Sequence, residues 1–96
     1  MEYQREGLKR FNEKEITIIV CVISKIKTSN GYKYLFSNCI ITKDFEYINH
    51  MRSFEEKINL DKNHIYKVKA EVYMYEKGEN IYSFSIKNIH DAILVD

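Results

Sequence analysis

The chain has 96 residues, with Lys plus Arg at 15 against Asp plus Glu at 14 and a formal net charge of +1. That length supports one hydrophobic core and not two. The 45% hydrophobic content excludes disorder, and the even charge balance excludes a polyanion binder driven by net charge, leaving room only for a local basic patch.

Residues 1–14 are polar and charged, and only Tyr3, Leu8 and Phe11 are available to anchor them. This segment is expected to be an arm, either flexible or docked, with Gly7 weakening any helix there. It precedes a barrel domain over 15–96. The stretch Met1-Glu2-Tyr3-Gln4-Arg5-Glu6 lacks the apolar core of a signal peptide. The longest apolar run, Ile18 to Ile23, falls far short of a membrane span. The expectation is a cytoplasmic protein with no membrane partner.

Glu15 to Lys27 reads as the first long strand, rich in β-branched residues over Ile16 to Ile23. Both faces are apolar in its first half, and clean alternation appears only at Ser24-Lys25-Ile26-Lys27. This is the pattern of a bent strand shared by two sheets. Asn30-Gly31 then signals a hairpin, since both residues tolerate positive φ. Tyr32 to Thr42 returns antiparallel, with Ser37-Asn38 marking a bulge or kink. After a turn at Lys43-Asp44, Phe45 to Met51 reads as a third strand with Phe45, Tyr47, Asn49 and Met51 on one face. Ser53-Phe54-Glu55-Glu56 fits a capping box and predicts a short helix. Ile65 to Glu76 alternates best, with Tyr66, Val68, Ala70, Val72 and Met74 inward and Lys67, Lys69, Glu71, Tyr73 and Tyr75 outward. Lys77-Gly78-Glu79-Asn80 is a second hairpin turn. Ile81 to Lys87 is the fifth strand, and Ile93-Leu94-Val95 adds an edge strand or packs beneath the barrel.

Cys21 and Cys39 sit inside apolar runs and read as buried free thiols, with a disulfide between them the alternative if the two runs pair as neighbouring strands. There is no C-x-x-C, and His50, His64 and His90 are scattered, so no metal site is expected. No nucleophile motif, catalytic carboxylate pair or phosphate-binding glycine loop appears. The reading is a non-enzymatic protein without a cofactor.

Five strands with a short helix between the third and fourth resemble the OB-fold family, an all-β Greek-key barrel, over residues 15–90. More narrowly the chain is similar to small OB-like proteins of phages and bacterial mobile elements. Asn49-His50-Met51-Arg52 lies where that group tends to carry an Asp-His-aromatic stretch; His50 matches, while Asn49 replaces the Asp and Arg52 the aromatic. The second carrying stretch is Ile65-Tyr66-Lys67-Val68-Lys69-Ala70-Glu71-Val72-Tyr73-Met74-Tyr75-Glu76-Lys77-Gly78. The resemblance implies a binding module, whose ligands in such folds are single-stranded nucleic acid, oligosaccharides or proteins.

Single-strand binding needs a cationic track and aromatic faces. Lys25, Lys27, Lys33, Lys67 and Lys69 supply the track, and Tyr32, Tyr34, Tyr73 and Tyr75 the rings. The register of the second strand is open, so Tyr34 is either a ligand face or core. The rival reading is a protein-binding inhibitor or adaptor encoded by a mobile element, of the anti-defence or anti-CRISPR kind, with a homodimer through an exposed strand edge as a variant.

Overall fold

The structure is a computed structural model that describes residues 1–96. Its strands are β1 (Glu2–Tyr3), β2 (Glu15–Thr28), β3 (Gly31–Ile41), β4 (Glu46–Glu55), β5 (Ile65–Gly78) and β6 (Ile81–Leu94), and a single 3-10 helix spans Glu6–Phe11. The strands form one sheet in the order β1-β6-β5-β2-β3-β4. No helix is long and apolar enough to cross a membrane.

The centre of the sheet is β2, whose length lets it serve two neighbours. It pairs antiparallel with β5 from Glu15 to Cys21 and with β3 from Ile18 to Thr28. Ile16, Ile18, Val20 and Val22 are buried in the core, while Ile19 and Cys21 on the other face are half-buried. Two register shifts bend the β2–β3 pair. One falls at Asn38, whose φ of 50° accommodates the extra residue expected near Ser37-Asn38. Both cysteines are free, and burial pushes the Cys39 thiol up to about 12.

The hairpins differ in detail from the expectation. Ser29 and Asn30 form the first loop, and Gly31 is already the first residue of β3. No glycine in the chain has a positive φ. Gly31 is required for a different reason: a Cβ there would lie 2.5 Å from the Glu55 carbonyl oxygen and 3.1 Å from the Phe54 ring. In the second loop, Asn80 takes the left-handed conformation at φ 57°.

Four expectations are corrected. The sheet has six strands rather than five, because β1 adds in parallel to β6 through Glu2↔Ile81 and Tyr3↔Tyr82. It is not a closed barrel, since no backbone ladder joins β4 to β6. The helix expected at Ser53 is absent. Ser53 and Glu55 continue β4, paired with Tyr34 and Tyr32 of β3, and this ladder overrides the local capping signal. The faces of the strands also shift. Met51 is buried while Tyr47 and Asn49 are exposed, and Met74 is 44% exposed although its partner Phe84 on β6 is buried.

The arm is docked. Glu2 N–H and Gln4 N–H donate to the carbonyls of Asn80 and Tyr82, and Tyr3 stacks on Phe84 with ring centroids 6.2 Å apart. Leu8, on the 3-10 helix, is fully buried among the core residues. Glu13 N–H and Lys14 carbonyl then bond to Val72, carrying the chain into β2. Leu8→Ala is expected to cost about 2–5 kcal/mol in urea denaturation. Leu94→Ala, at a residue more than half exposed, is expected to change stability by no more than about 0.5 kcal/mol.

Candidate functional site

The residues singled out from the sequence fall into four places. Lys25 pairs with Tyr34 and Lys27 with Tyr32, so these side chains share the inner face of the β2–β3 hairpin. Lys25 Nζ stands 4.7 Å from the Tyr32 ring centroid and donates to Asn59 Oδ1. Lys33 pairs with Ile26 and Phe54 instead, on the outer face. Lys67 and Lys69 are exposed on the outer face of β5 beside β2, and Lys69 faces Asp91 at 3.7 Å. Glu71 separates them from Tyr73 and Tyr75, so the five lysines do not form one track.

Of the two readings open for Tyr34, ligand face or core, the structure places it in the core. It is 2% exposed and stacks on Phe36. Its hydroxyl donates to the Ile58 carbonyl (2.9 Å) and accepts from Leu60 N–H (2.8 Å), which pins the segment between β4 and β5 over the end of the core. Tyr66 assists by accepting Asp61 N–H at 2.8 Å. No ring face of Tyr34 is left for a ligand.

Tyr73 and Tyr75 lie on the outer face of β5, opposite Ser85 and Ser83 of β6. Both serines are buried, and their small side chains leave room for the half-buried tyrosine rings, whose centroids are 5.9 Å apart. Lys87 Nζ stands 5.3 Å from the Tyr73 centroid. Arg5 Nη1 donates to the Tyr75 hydroxyl and to the Phe84 carbonyl, each at 3.2 Å. Burial raises the Tyr73 hydroxyl pKa, with Tyr75 and Glu55 adding to the effect. Burial acts on Tyr75 in the same direction, but Ser83 and the Arg5 guanidinium outweigh it and leave that phenol below its ordinary value. The Ser83 hydroxyl is near enough to act on Tyr75, yet it makes no hydrogen bond of good geometry.

The seam between β4 and β6 joins this surface to Arg52 and Phe54. Ser85 Oγ donates to the Arg52 carbonyl at 2.8 Å. Arg52 pairs with Leu35, and Phe54 with Lys33, on the outer face of β3 and β4. Phe54 is 42% exposed and lines a cleft with Lys57, Lys87 and His90. Lys87 thus stands over one ring and shares a cleft with another. The outer surface carries Arg5, Lys33, Arg52, Lys57 and Lys87 among Phe54, Tyr73 and Tyr75. Sequence reading picked out Lys33, Tyr73 and Tyr75. It missed Phe54 and Arg52 because the capping-box reading put them in or beside a helix, and Lys87 because it closed the last strand there.

Beneath the seam, Glu55 is 5% exposed. Its carboxyl accepts Ile89 N–H at 2.8 Å and the Ser53 hydroxyl. Burial raises its pKa, and these two hydrogen bonds oppose the rise. No group of three His, Cys, Asp or Glu side chains is placed to hold a metal ion. Compared with family models, curated proteins and solved structures, the chain matches none of them.

Two outcomes follow. Tyr34→Phe strands the buried Leu60 N–H and is expected to cost about 1–3 kcal/mol in denaturation. The folded Glu55 carboxyl holds its proton to a higher pH than in the unfolded chain, where the value is about 4.3. Its contribution to stability is therefore full below that value and declines as pH rises through the raised folded value. Glu55→Gln, which keeps an acceptor for Ile89 N–H, is expected to flatten this part of the melting-temperature profile against pH.

Proposed function

We propose that the chain is a small OB-like module that binds single-stranded nucleic acid across the outer face of the β4–β6 seam. Three features support the OB-like reading. A central strand, β2, pairs with both β3 and β5. Two hairpins flank an irregular segment between β4 and β5. β4 and β6, which share no ladder, approach through side-chain hydrogen bonds. Such partly open barrels bind oligonucleotides on an outer face bordered by their hairpin loops.

The observation that carries the functional reading is the interleaving of cations and rings around Lys87. Bases stack on aromatic faces, and lysine and arginine neutralise the phosphates between them. Few phosphates can be contacted by five cations, one of which already bonds Tyr75, so the affinity is modest and its salt dependence shallow. Tyr32 with Lys25 and Lys27 extends the reading to the neighbouring hairpin, as a secondary contact on the inner face.

A second reading, a mobile-element protein that binds another protein, is favoured by one observation. Ile65, Ile93 and Val95 are exposed together on a different part of the outer face.

The test is a titration into a labelled single-stranded oligonucleotide at low and moderate salt. Binding is expected with a dissociation constant on the order of 1–100 µM at low salt. Tyr73→Ala is expected to weaken it by about 1–3 kcal/mol, and Lys87→Glu to weaken it and flatten the salt dependence. Absence of binding at low salt refutes the nucleic-acid reading. Binding that ignores both substitutions refutes this placement of the site.

A further inference from the structure

We propose that a second copy of this chain docks on the outer face of β2, β5 and β6 around Ile23, Ile65, Ile93 and Val95, forming a two-fold dimer.

The register brings these residues together. Cys21 pairs with Ile65, and Ile65 carbonyl accepts Val95 N–H at 2.8 Å, so one row crosses three strands. The next row is Ile19, Lys67 and Ile93. Ile23 extends the patch along β2, on the outer side of the bulge between Val22 and Ser24. Ile93 is 58% exposed and Val95 55%, with Ile23 and Ile65 less so. Single exposed aliphatics are ordinary on a monomer, but adjacent rows of them are a contact surface. β6 beyond Ile89 also has every residue from His90 to Leu94 exposed, so nothing among residues 1–96 covers either face there.

The charges around the patch indicate which partner fits. At one end Lys67 has no ion-pair partner within the chain, whereas its neighbour Lys69 is already held by Asp91. At the other end lies Asp96, whose carboxylate accepts Ile65 N–H at 3.1 Å and faces His64 Nδ1 at 3.4 Å. The patch is therefore basic at one end and acidic at the other. An isologous contact places the same patch on itself. A two-fold axis across the strands, near the Ile65–Val95 row, sets Lys67 of each copy over Asp96 of the other and stacks the aliphatic rows between them. A surface of uniform charge would repel its own copy; this one complements itself.

Dimerisation leaves the Tyr73–Lys87 face free, because Glu71 stands between that face and Lys67. The two proposals therefore fail independently.

The experiment is sedimentation velocity on the full chain from micromolar to high micromolar concentration. The expected result is a monomer–dimer equilibrium. Ile93→Asp and, separately, Val95→Asp should weaken association at least about tenfold, a change of about 1.4 kcal/mol. Both sites are more than half exposed, and a native circular dichroism spectrum confirms that each variant folds. Lys67→Glu alone should weaken the dimer, and Lys67→Glu combined with Asp96→Lys should restore it. A monomer at every concentration overturns the proposal, as does a dimer that both aspartate variants leave intact. Failure of the charge swap to restore association overturns it too. So does a different protein that binds this patch on a chain that stays monomeric. Oligonucleotide binding by Ile93→Asp should equal that of the parent chain.

Discussion

The constraint on which the rest of the structure depends is how β4, at one edge of a curled sheet, meets β6 without a backbone ladder. β4 and β6 are held by a carboxyl and a hydroxyl: Glu55 accepts Ile89 N–H, and Ser85 donates to the Arg52 carbonyl. Both are contacts of a side chain with backbone, so each satisfies a main-chain group that a closed barrel would have satisfied by strand pairing. A buried carboxyl is costly unless its oxygens are bonded, and here Ser53 occupies the second oxygen. The seam is thus a specific joint rather than a continuous one, and it sets the spacing of everything on its outer side.

That spacing explains why the candidate interface lies where it does. In a uniform ladder the outer faces of β4 and β6 would present side chains at fixed strand intervals. Here serines at 83 and 85 leave shallow room under two tyrosines, and Arg5 reaches in from the arm to the Phe84 carbonyl and the Tyr75 hydroxyl. Arg5 holds a left-handed backbone conformation at φ 54°, a local cost for a residue with a side chain, compensated by its two hydrogen bonds. The arm is therefore part of the surface, and its chemistry cannot be separated from that of β5 and β6.

The strands were legible in the sequence because β-branched runs and period-two alternation are local signals, as in Ile16–Val22 and Tyr66–Val72. The bulge at Asn38 was legible for the same reason, since two polar residues interrupt an apolar run. What was hidden depends on distant partners. Tyr34 looks identical to Tyr32 by pattern, and only the return of residues 58–60 over its hydroxyl makes it core. Ser53 to Glu56 satisfies a helix-start rule locally, but pairing with β3 and a bond to Ile89 keep Ser53 and Glu55 extended. The alternation that marks the last strand ends at Lys87, and Asn88 and Asp91 follow it. In the structure both adopt positive φ at irregularities of a strand that runs on to Leu94.

The parallel pairing of β1 with β6 has a consequence for how the chain is made. The backbone of residues 2–4 bonds to Asn80 and Tyr82, so the arm cannot dock until β6, far along the chain, is in place. Leu8 faces the same delay, because the core it enters includes Phe84 and Ile86. The most sequence-distant contacts are thus also those that finish the molecule, a topology associated with slow folding. The β2–β3 hairpin and β4 can assemble early, while the edge of β2 from Glu15 to Cys21 stays unpaired until β5 joins it. A chain without β5 would leave that edge, with Ile16, Ile18 and Val20, open to pairing with another chain, a greater aggregation hazard than loss of the arm.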